Sequence, residues 1–249
     1  VDGSGPLRRH GTVEAAARGV LAELPRKEPF VLFGHSYGGM VALEVSKVAL
    51  ETHALRGCVL CSTLASARSE DLPQSVKARE RFARTHGLDK EFEVSLPFVI
   101  HESIDDTTRQ TIQARRLEDA RRAGLDVYSL QCAAVDARPD QHDTLRRLAE
   151  AAIPVLVLHG DSDNNVPLAE AKKTFASLAE TTKRTEHIDK DDDDSLPAQT
   201  QRSIDDHYHL AVLKDTGHLP LLERPAESAA AIHSWWTKVF ASSSSSPVL

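Results

Sequence analysis

The sequence predicts an α/β fold, in which a mostly parallel sheet is flanked by helices and carries a helical insertion. Two observations lead to this prediction. Short apolar runs typical of buried strands alternate with longer amphipathic segments, the pattern of parallel strands joined by helices. The 249 residues are also enough for one large domain that buries about three-quarters of its unfolded surface. The predicted strands are residues 30–33, 55–63, 154–159 and 208–214.

Local patterns justify the individual strands and helices. Residues 154–159 read PVLVLH, a continuous apolar run that is typical of a strand buried on both faces. A helix is predicted for residues 12–24, because apolar residues recur at helical spacing from Val13 onward and Thr12 is a favourable N-cap. The last helix begins with a proline, which is common at a first helical position. The further predicted helices are residues 40–50, 168–178 and 225–240.

Residues 66–150 interrupt the alternation of strands and helices. They are rich in Arg, Glu, Asp and Ala and contain no strong strand, so we predict a helical cap over one edge of the sheet. Residues 1–65 and 151–241 then form the core. Within the core, the KDDDD-containing residues 181–206 are predicted to be a flexible acidic loop, and residues 242–249 a disordered tail. The helices of the cap are predicted near residues 73–86, 105–123 and 139–151.

The charge distribution excludes some classes of partner. A formal net charge of −7 and a pI of about 5.9 argue against nucleic acid or an anionic membrane as the main partner. The arginine pairs at 115–116 and 121–122 are interleaved with acidic residues. We interpret them as a solvated helix face rather than a binding patch.

Cysteine usage and hydropathy indicate the expected location. Of the three cysteines, Cys58, Cys61 and Cys132, the first two lie in an apolar run and are predicted to be free buried thiols, since no second Cys-x-x-Cys pair completes a zinc site. The sequence shows no signal peptide and no apolar run long enough to span a bilayer. A cytoplasmic location without membrane association is therefore expected. The sequence does not indicate an oligomeric state.

The most informative motif is Gly34-His35-Ser36-Tyr37-Gly38, between an apolar run and a predicted helix. Gly-x-Ser-x-Gly in this context is the nucleophile elbow, a sharp turn that exposes a reactive serine. Such a strained turn needs glycines two positions to either side of the serine. The N–H groups that begin the helix lie where negative charge would develop on an acyl oxygen. The glycine patterns of phosphate-binding turns are absent from the sequence.

A reactive serine needs a base to take its proton and a third group to orient that base. In an elbow-containing sheet the chain order is serine, acid, histidine. His218 follows the last predicted strand and is the candidate base. Asp163 follows the preceding strand and is the favoured acid, with Asp161 interpreted as a turn residue and Asp215 as a weaker option. Both loops lie at carboxyl ends of strands, where open α/β sheets bind ligands.

Four other histidines have an informative context. His35 is adjacent to Ser36 in sequence, which makes it a poor base for that residue, and it is predicted to shape the site. His207 and His209 are predicted on one face of a strand. A solvated strand end is favoured over a metal site there, because no third ligand is nearby. His159 is predicted to be a packed histidine at a strand end.

Three segments of the chain resemble the α/β-hydrolase fold superfamily: GHSYGGM at 34–40, VLVLHGDSDNNVP at 155–167 and GHLPLLERP at 217–225. The resemblance covers essentially the whole chain, including a helical cap. It implies Ser36 as nucleophile, Asp163 as orienting acid and His218 as general base, with one oxyanion donor at the backbone N–H of Tyr37. Residues 136–163 further resemble the cap exit of enol-lactonase-like and aminopeptidase-like members.

The chain departs from this family at its beginning. Residues 1–11, VDGSGPLRRHG, resemble an Asp-x-x-Gly-x-Gly stretch that follows a later strand of the family. The N-terminal strands and the oxyanion loop are therefore expected to lie outside these 249 residues. Either the chain is a piece of a longer protein, or another segment supplies the second oxyanion donor. Loss of one such donor typically costs about 10²–10³ in rate.

These features predict a serine hydrolase that cleaves a small carboxylic ester, lactone or related acyl substrate through an acyl-enzyme on Ser36. The expected partner is a small acyl molecule, and neither a metal nor an organic cofactor is expected. His35 is expected to shape the substrate pocket. Four apolar residues of the predicted cap are expected either to line that pocket or to pack in the core. They are Phe92, Leu96, Phe98 and Ile100.

Three alternative functions remain compatible with the sequence. The first is aminopeptidase-like cleavage, for which a carboxylate of the cap, such as Glu102, Asp105 or Glu118, would bind a free amine. The second is thioesterase activity, which the elbow permits equally well. The third is a catalytically silent relative that acts as a binding protein, because the oxyanion loop is expected to be absent.

Overall fold

The computed structural model describes residues 10–24, 28–52, 54–68, 76–186 and 198–240. Within these residues, four strands form one parallel sheet in the order β1-β2-β3-β4. This arrangement confirms the predicted α/β fold, and each of the four predicted strands is present. The strands are β1 Phe30–His35, β2 Leu55–Cys61, β3 Val155–Gly160 and β4 Tyr208–Leu213.

The central strands are apolar on both faces because both faces of the sheet are covered. In β2, Cys58 and Leu60 contribute to one apolar cluster, whereas Val59 and Cys61 contribute to another. All six residues of β3 are buried. A strand's side chains alternate between the two faces of the sheet. When helices cover both faces, every side chain of the strand is buried, and the sequence of the strand is a continuous apolar run. Cys58 and Cys61 are free and buried, as predicted, and Cys132 is also free and buried.

Helices cover the sheet on each side. Most of the core packs on one face, against α1, α2, α7 and α8, while Trp235 of α11 is fully buried on the other face. The N-cap prediction for α1 is confirmed, since the Thr12 hydroxyl accepts the N–H of Ala15 at 3.1 Å. These helices are α1 Val13–Glu23, α2 Tyr37–Thr52, α7 His142–Glu150, α8 Leu168–Glu186 and α11 Pro225–Phe240.

Between β2 and β3 the chain forms helices, as predicted, but these helices separate into two groups. Helices α3–α6 pack against one another, and we call them the helical layer. Helix α7 instead packs against α2 and α8, and buries Leu145 and Leu148 in the core. The part of 66–150 that is separate from the core is therefore shorter than predicted. The helical layer comprises α3 Val76–His86, α4 Leu88–Val99, α5 Asp106–Ala123 and α6 Leu125–Asp136.

The largest difference from the sequence prediction lies in the segment predicted as an acidic loop. Helix α8 continues to Glu186, because its buried stripe persists beyond Leu178 through Ala179 and Thr182. A further helix, α9, spans Ala198–His207, and a short helix, α10, spans Pro220–Glu223. Residues 187–197 and the predicted tail lie outside the described residues. No helix of the described part of the chain has the length and hydropathy needed to cross a membrane.

Candidate active site

Ser36 occupies the turn between β1 and α2. Its backbone φ is 52°, in the left-handed region that is strained for a residue with a side chain. The turn is held by the Ser36 N–H, which donates to the carbonyl of Cys61 at 2.9 Å, and by the Thr63 hydroxyl, which donates to the Ser36 carbonyl at 2.8 Å. Helix α2 begins at Tyr37, so the N–H of Tyr37 is one of the free N–H groups of a helix start.

The two glycines of the motif have different surroundings. A Cβ on Gly34 would lie 2.4 Å from the carbonyl oxygen of Gly38, so strand and helix approach too closely here for any side chain. A Cβ on Gly38 would meet no atom of the described residues within 4 Å. The predicted steric need for glycine therefore holds for position 34 and is wrong for position 38.

The structure brings Ser36, His218 and Asp163 together, although they lie far apart in the sequence. The Oγ of Ser36 is 2.9 Å from Nε2 of His218, and Nδ1 of His218 is 2.8 Å from Oδ2 of Asp163. The three side chains follow β1, β4 and β3, so they converge because parallel strands end at one edge of the sheet. His218 and Asp163 are both buried, whereas Ser36 is partly exposed.

The carboxylate of Asp163 is held on both of its oxygens. While Oδ2 faces the imidazole, Oδ1 accepts the N–H groups of Asn165 and Val166 at 2.8 and 2.9 Å. Burial acts to raise the pKa of this carboxyl, but the hydrogen bond and charge of His218 outweigh it and lower the pKa below its usual value. Asp163 therefore stays ionised beside the imidazole.

The other candidate acids lie apart from the imidazole. Asp161 is exposed and its Oδ1 accepts from the Ser162 hydroxyl at 2.8 Å and from the Thr216 N–H at 3.3 Å. These are the contacts of a turn residue, which is how the sequence was interpreted. Asp215 lies in a turn at φ 49°, and its carbonyl accepts from Arg224 at 3.1 Å.

A buried carboxylate that the sequence analysis missed fixes the loop of His218. Glu223 accepts the N–H groups of Gly217 and Leu219, each at 2.9 Å, and thus holds the backbone on both sides of the histidine. It also accepts the N–H of His101 at 2.7 Å, in the loop between α4 and α5 of the helical layer. The sequence does contain an indication of this role, because Glu223 ends the apolar segment LPLLE. A glutamate in an apolar segment is expected to be buried, and a buried carboxylate needs hydrogen-bond donors.

The histidines around the site are neutral packing groups. Nε2–H of His35 donates to the carbonyl of His218 at 2.7 Å, and burial, followed by the nearby His218, lowers the pKa of His35 to about 4. His159 is fully buried and contacts the Val166 carbonyl at 2.9 Å, which agrees with a packed histidine. Burial also lowers its pKa.

The predicted pair of strand histidines is not observed. His207 ends helix α9 and contacts the carbonyl of Ser203 at 2.8 Å, because β4 begins one residue later. Only His209 lies in the strand. No group of three or more His, Cys, Asp or Glu side chains suited to holding a metal ion occurs within the described ranges.

A cavity of about 590 Å³ opens beside Ser36 and His218. Of the five residues predicted to shape it, His35 and Phe92 line its wall. Leu96 and Ile100 pack with Ile112, Leu219 and Leu222 in a separate apolar cluster, which is the core packing predicted as the alternative to pocket lining.

The fifth residue, Phe98, is 51% exposed and does not line the cavity. The remaining wall mixes apolar residues of α2 with polar residues of the helical layer. The first group includes Val41 and Val45; the second comprises Arg79, Arg116 and Gln131.

Comparison with known proteins agrees with this architecture. A family model described as the alpha/beta hydrolase family matches residues 2–231. The chain belongs to this family. It is therefore a hydrolase enzyme, and the sequence resemblance is confirmed. No curated protein matches the sequence of this hydrolase significantly.

Solved structures resemble the hydrolase over most of its length. A thermophilic esterase from Thermogutta terrifontis is 25% identical, with a TM-score of 0.67 over 91% of this chain and 72% of that chain. An enol-lactonase from Burkholderia xenovorans LB400 is 20% identical, with a TM-score of 0.63 over 91% and 73%. A bromoperoxidase from Bacillus anthracis is 17% identical, with a TM-score of 0.66 over 92% and 76%. The last two similarities concern the fold alone.

Proposed function

We propose that this hydrolase cleaves a small carboxylic ester or lactone through an acyl-enzyme formed on Ser36. The observation that carries the proposal is the continuous chain of hydrogen bonds from Asp163 through His218 to the Ser36 hydroxyl, at 2.8 and 2.9 Å. Because the Asp163 carboxylate can only accept, it holds the proton of the imidazole on Nδ1. Nε2 is then free to accept from the serine, which is the arrangement that activates a hydroxyl nucleophile.

In the first half of the reaction, Oγ of Ser36 attacks the carbonyl carbon of the substrate while its proton moves to Nε2 of His218. The negative charge that develops on the carbonyl oxygen is stabilised by the N–H of Tyr37 at the start of α2. The imidazolium then gives its proton to the leaving alkoxide, and the acyl group remains on the serine. Asp163 stabilises the imidazolium throughout these steps.

In the second half, water replaces the alcohol. His218 removes a proton from the water, the resulting hydroxide attacks the acyl-enzyme, and the proton returns to Ser36 as the carboxylic acid leaves. The strained backbone of Ser36 keeps Oγ directed toward the cavity during both halves. The proposal includes a role for the helical layer as the cap of the site, since α3–α6 supply one wall of the cavity.

The proposal is tested by covalent labelling with a fluorophosphonate probe, followed by mass spectrometry of the modified peptide. We expect one label on Ser36, and no label on the variants Ser36→Ala and His218→Ala. The matched control is Ser162→Ala, which removes a hydroxyl from the loop of the acid without touching the imidazole. That variant should label like the unmodified protein.

Two outcomes would contradict the proposal. The first is a folded protein that takes up no probe, which would favour a binding protein over an enzyme of this mechanism. The second is labelling that persists in the Ser36→Ala variant. Circular dichroism of each variant establishes that loss of labelling reflects chemistry rather than unfolding.

A further inference from the structure

The helical layer brings two arginines to the wall of the cavity that holds the reactive serine. Arg79 of α3 and Arg116 of α5 line the same 590 Å³ cavity as Ser36 and His218. The sequence predicts Arg116 on a solvated helix face. The structure corrects this prediction, because Arg116 is half-buried and lies on the same helix face as the buried Ile112 and Ala120, each four residues away.

Within the described part of the chain, Glu91 is the one acidic side chain that faces these two positive charges. Nε of Arg79 donates to Oε1 of Glu91 at 2.6 Å, and the Glu91 side chain is only 2% exposed. Arg116 has neutral partners: it donates to the carbonyl of Phe92 and to the hydroxyl of Ser95, both at 3.1 Å. The cluster therefore carries one uncompensated positive charge, at the surface of a partly enclosed cavity.

The partly buried position makes the uncompensated charge energetically unfavourable. Burial and the neighbouring Arg79 together lower the pKa of Arg116 to about 10, although its guanidinium also lies 5.0 Å above the Phe92 ring. The terminal nitrogens of Arg79 make no hydrogen bond with the described residues. Buried charges in proteins are normally paired, so an anion at this wall would satisfy donors that the chain leaves open.

We infer that the substrate of this hydrolase carries a carboxylate, bound by Arg116 and Arg79, in addition to the carbonyl presented to Ser36. This inference depends on the proposed function, because it names the substrate class of the same site. A carboxylate matches the planar, forked donors of guanidinium groups. A monoanion also balances the single excess charge, whereas a phosphate dianion would leave the cluster negative.

The rest of the wall suits a short chain between the two ends of such a substrate. Val41 and Val45 of α2 line the cavity along with the arginines and the serine. Apolar contacts of this kind stabilise methylene groups, and a cavity of this volume accommodates a small molecule. The expected substrate is thus a half-ester or lactone acid with a few methylenes between ester and carboxylate.

The test compares two 4-nitrophenyl esters of glutarate, one with its second carboxylate free and one with that carboxylate methylated and therefore uncharged. We expect the hydrolase to cleave mono-4-nitrophenyl glutarate with a kcat/KM about 10–100-fold above that of methyl 4-nitrophenyl glutarate, because the second ester lacks the carboxylate. Arg116→Gln should lower this ratio about tenfold, and Arg116→Lys should restore part of it. The matched control is Arg115→Gln, which changes an exposed arginine next to Arg116 and should keep the ratio.

A second measurement separates the inference from the proposed function. Calorimetry on the Ser36→Ala variant should detect binding of glutarate, and the additional change Arg116→Gln should abolish it. If both esters are cleaved at equal rates and glutarate does not bind, the carboxylate inference is wrong and the hydrolase proposal stands. If neither ester is cleaved but glutarate binds through Arg116, the anion site is supported and the proposed activity is wrong. A charge preference that survives Arg116→Gln also overturns the inference.

Discussion

The strand ends and the helical layer contribute to the same cavity, but they hold their side chains in different ways. At the strand ends, backbone groups fix the site: the N–H of Ser36 bonds to β2, and Glu223 holds the backbone on either side of His218. In the helical layer, side chains hold one another, as in the buried pair Arg79–Glu91. The difference suggests that the chemistry belongs to the strand ends and substrate selection to the helical layer.

The largest effect is expected where a strand-end side chain sets the tautomer of the base. Asp163→Asn should lower kcat on the glutarate esters about 10⁴-fold, because the amide no longer selects the Nδ1–H form of His218. Asp161→Asn, in the same loop but without contact to the imidazole, should stay within about threefold, as most surface changes do. Steady-state kinetics on both variants measures kcat. Equal losses of kcat in the two variants would mean that Asp163 is not the acid that orients His218.

A smaller effect is expected from two glycines, one in each region. Gly34→Ala places a methyl group 2.4 Å from the Gly38 carbonyl, and should cost about 4 kcal/mol or more in free energy of unfolding. Gly87→Ala, between α3 and α4, has open space and meets only the penalty of φ 88°, about 2 kcal/mol. Urea unfolding measures both. A Gly34→Ala variant as stable as Gly87→Ala would mean that the elbow is less rigid than its geometry indicates.

The smallest effect concerns the response to acid. The pKa of His35 is lowered to about 4, so below about pH 6.5 the unfolded chain binds a proton that the folded chain does not. Stability is therefore lost as pH falls from about 6.5 to about 4, and His35 accounts for about 2 kcal/mol of that loss at about pH 5. His35→Gln keeps a donor for the His218 carbonyl and should remove this part of the loss.

The matched control for the acid response lies in the helical layer. The control variant is His86→Gln, which removes an exposed histidine at the end of α3. Unfolding by urea at several pH values compares the three proteins. If His35→Gln and His86→Gln respond to acid alike, burial of His35 is not the source of the sensitivity.

The site at the strand ends was predictable from sequence because its residues follow short apolar runs in a fixed order. Ser36, Asp163 and His218 each lie in the turn or loop that follows a strand identified from its apolar run, and parallel strands place their carboxyl ends together. The sequence pattern alone does not distinguish Asp161 from Asp163 as the acid, since both lie in one turn. The structure separates them by burial and by contact with the imidazole.

The wall of the cavity was not predictable in the same way. Which face of a helix meets the cavity depends on how α3–α6 pack together, and α5 has no clear amphipathic pattern in its sequence. The sequence therefore predicts Arg116 in solvent with its exposed neighbour Arg115, and leaves open whether Leu96 and Ile100 line the pocket or pack in the core, where they contact Ile112. The spacing of four residues between Ile112, Arg116 and Ala120 places them on one face of α5, and this is the feature of the sequence that could have indicated that Arg116 is not fully solvated.

One contact joins the two regions directly. The N–H of His218 donates to the carbonyl of Val99, the last residue of α4, at 2.7 Å. Outward movement of α4 would either break this bond or displace the histidine along with the helix. Displacement of the histidine would take the proton acceptor away from Ser36. The position of α4 and the reactivity of the serine are therefore coupled through a single backbone hydrogen bond.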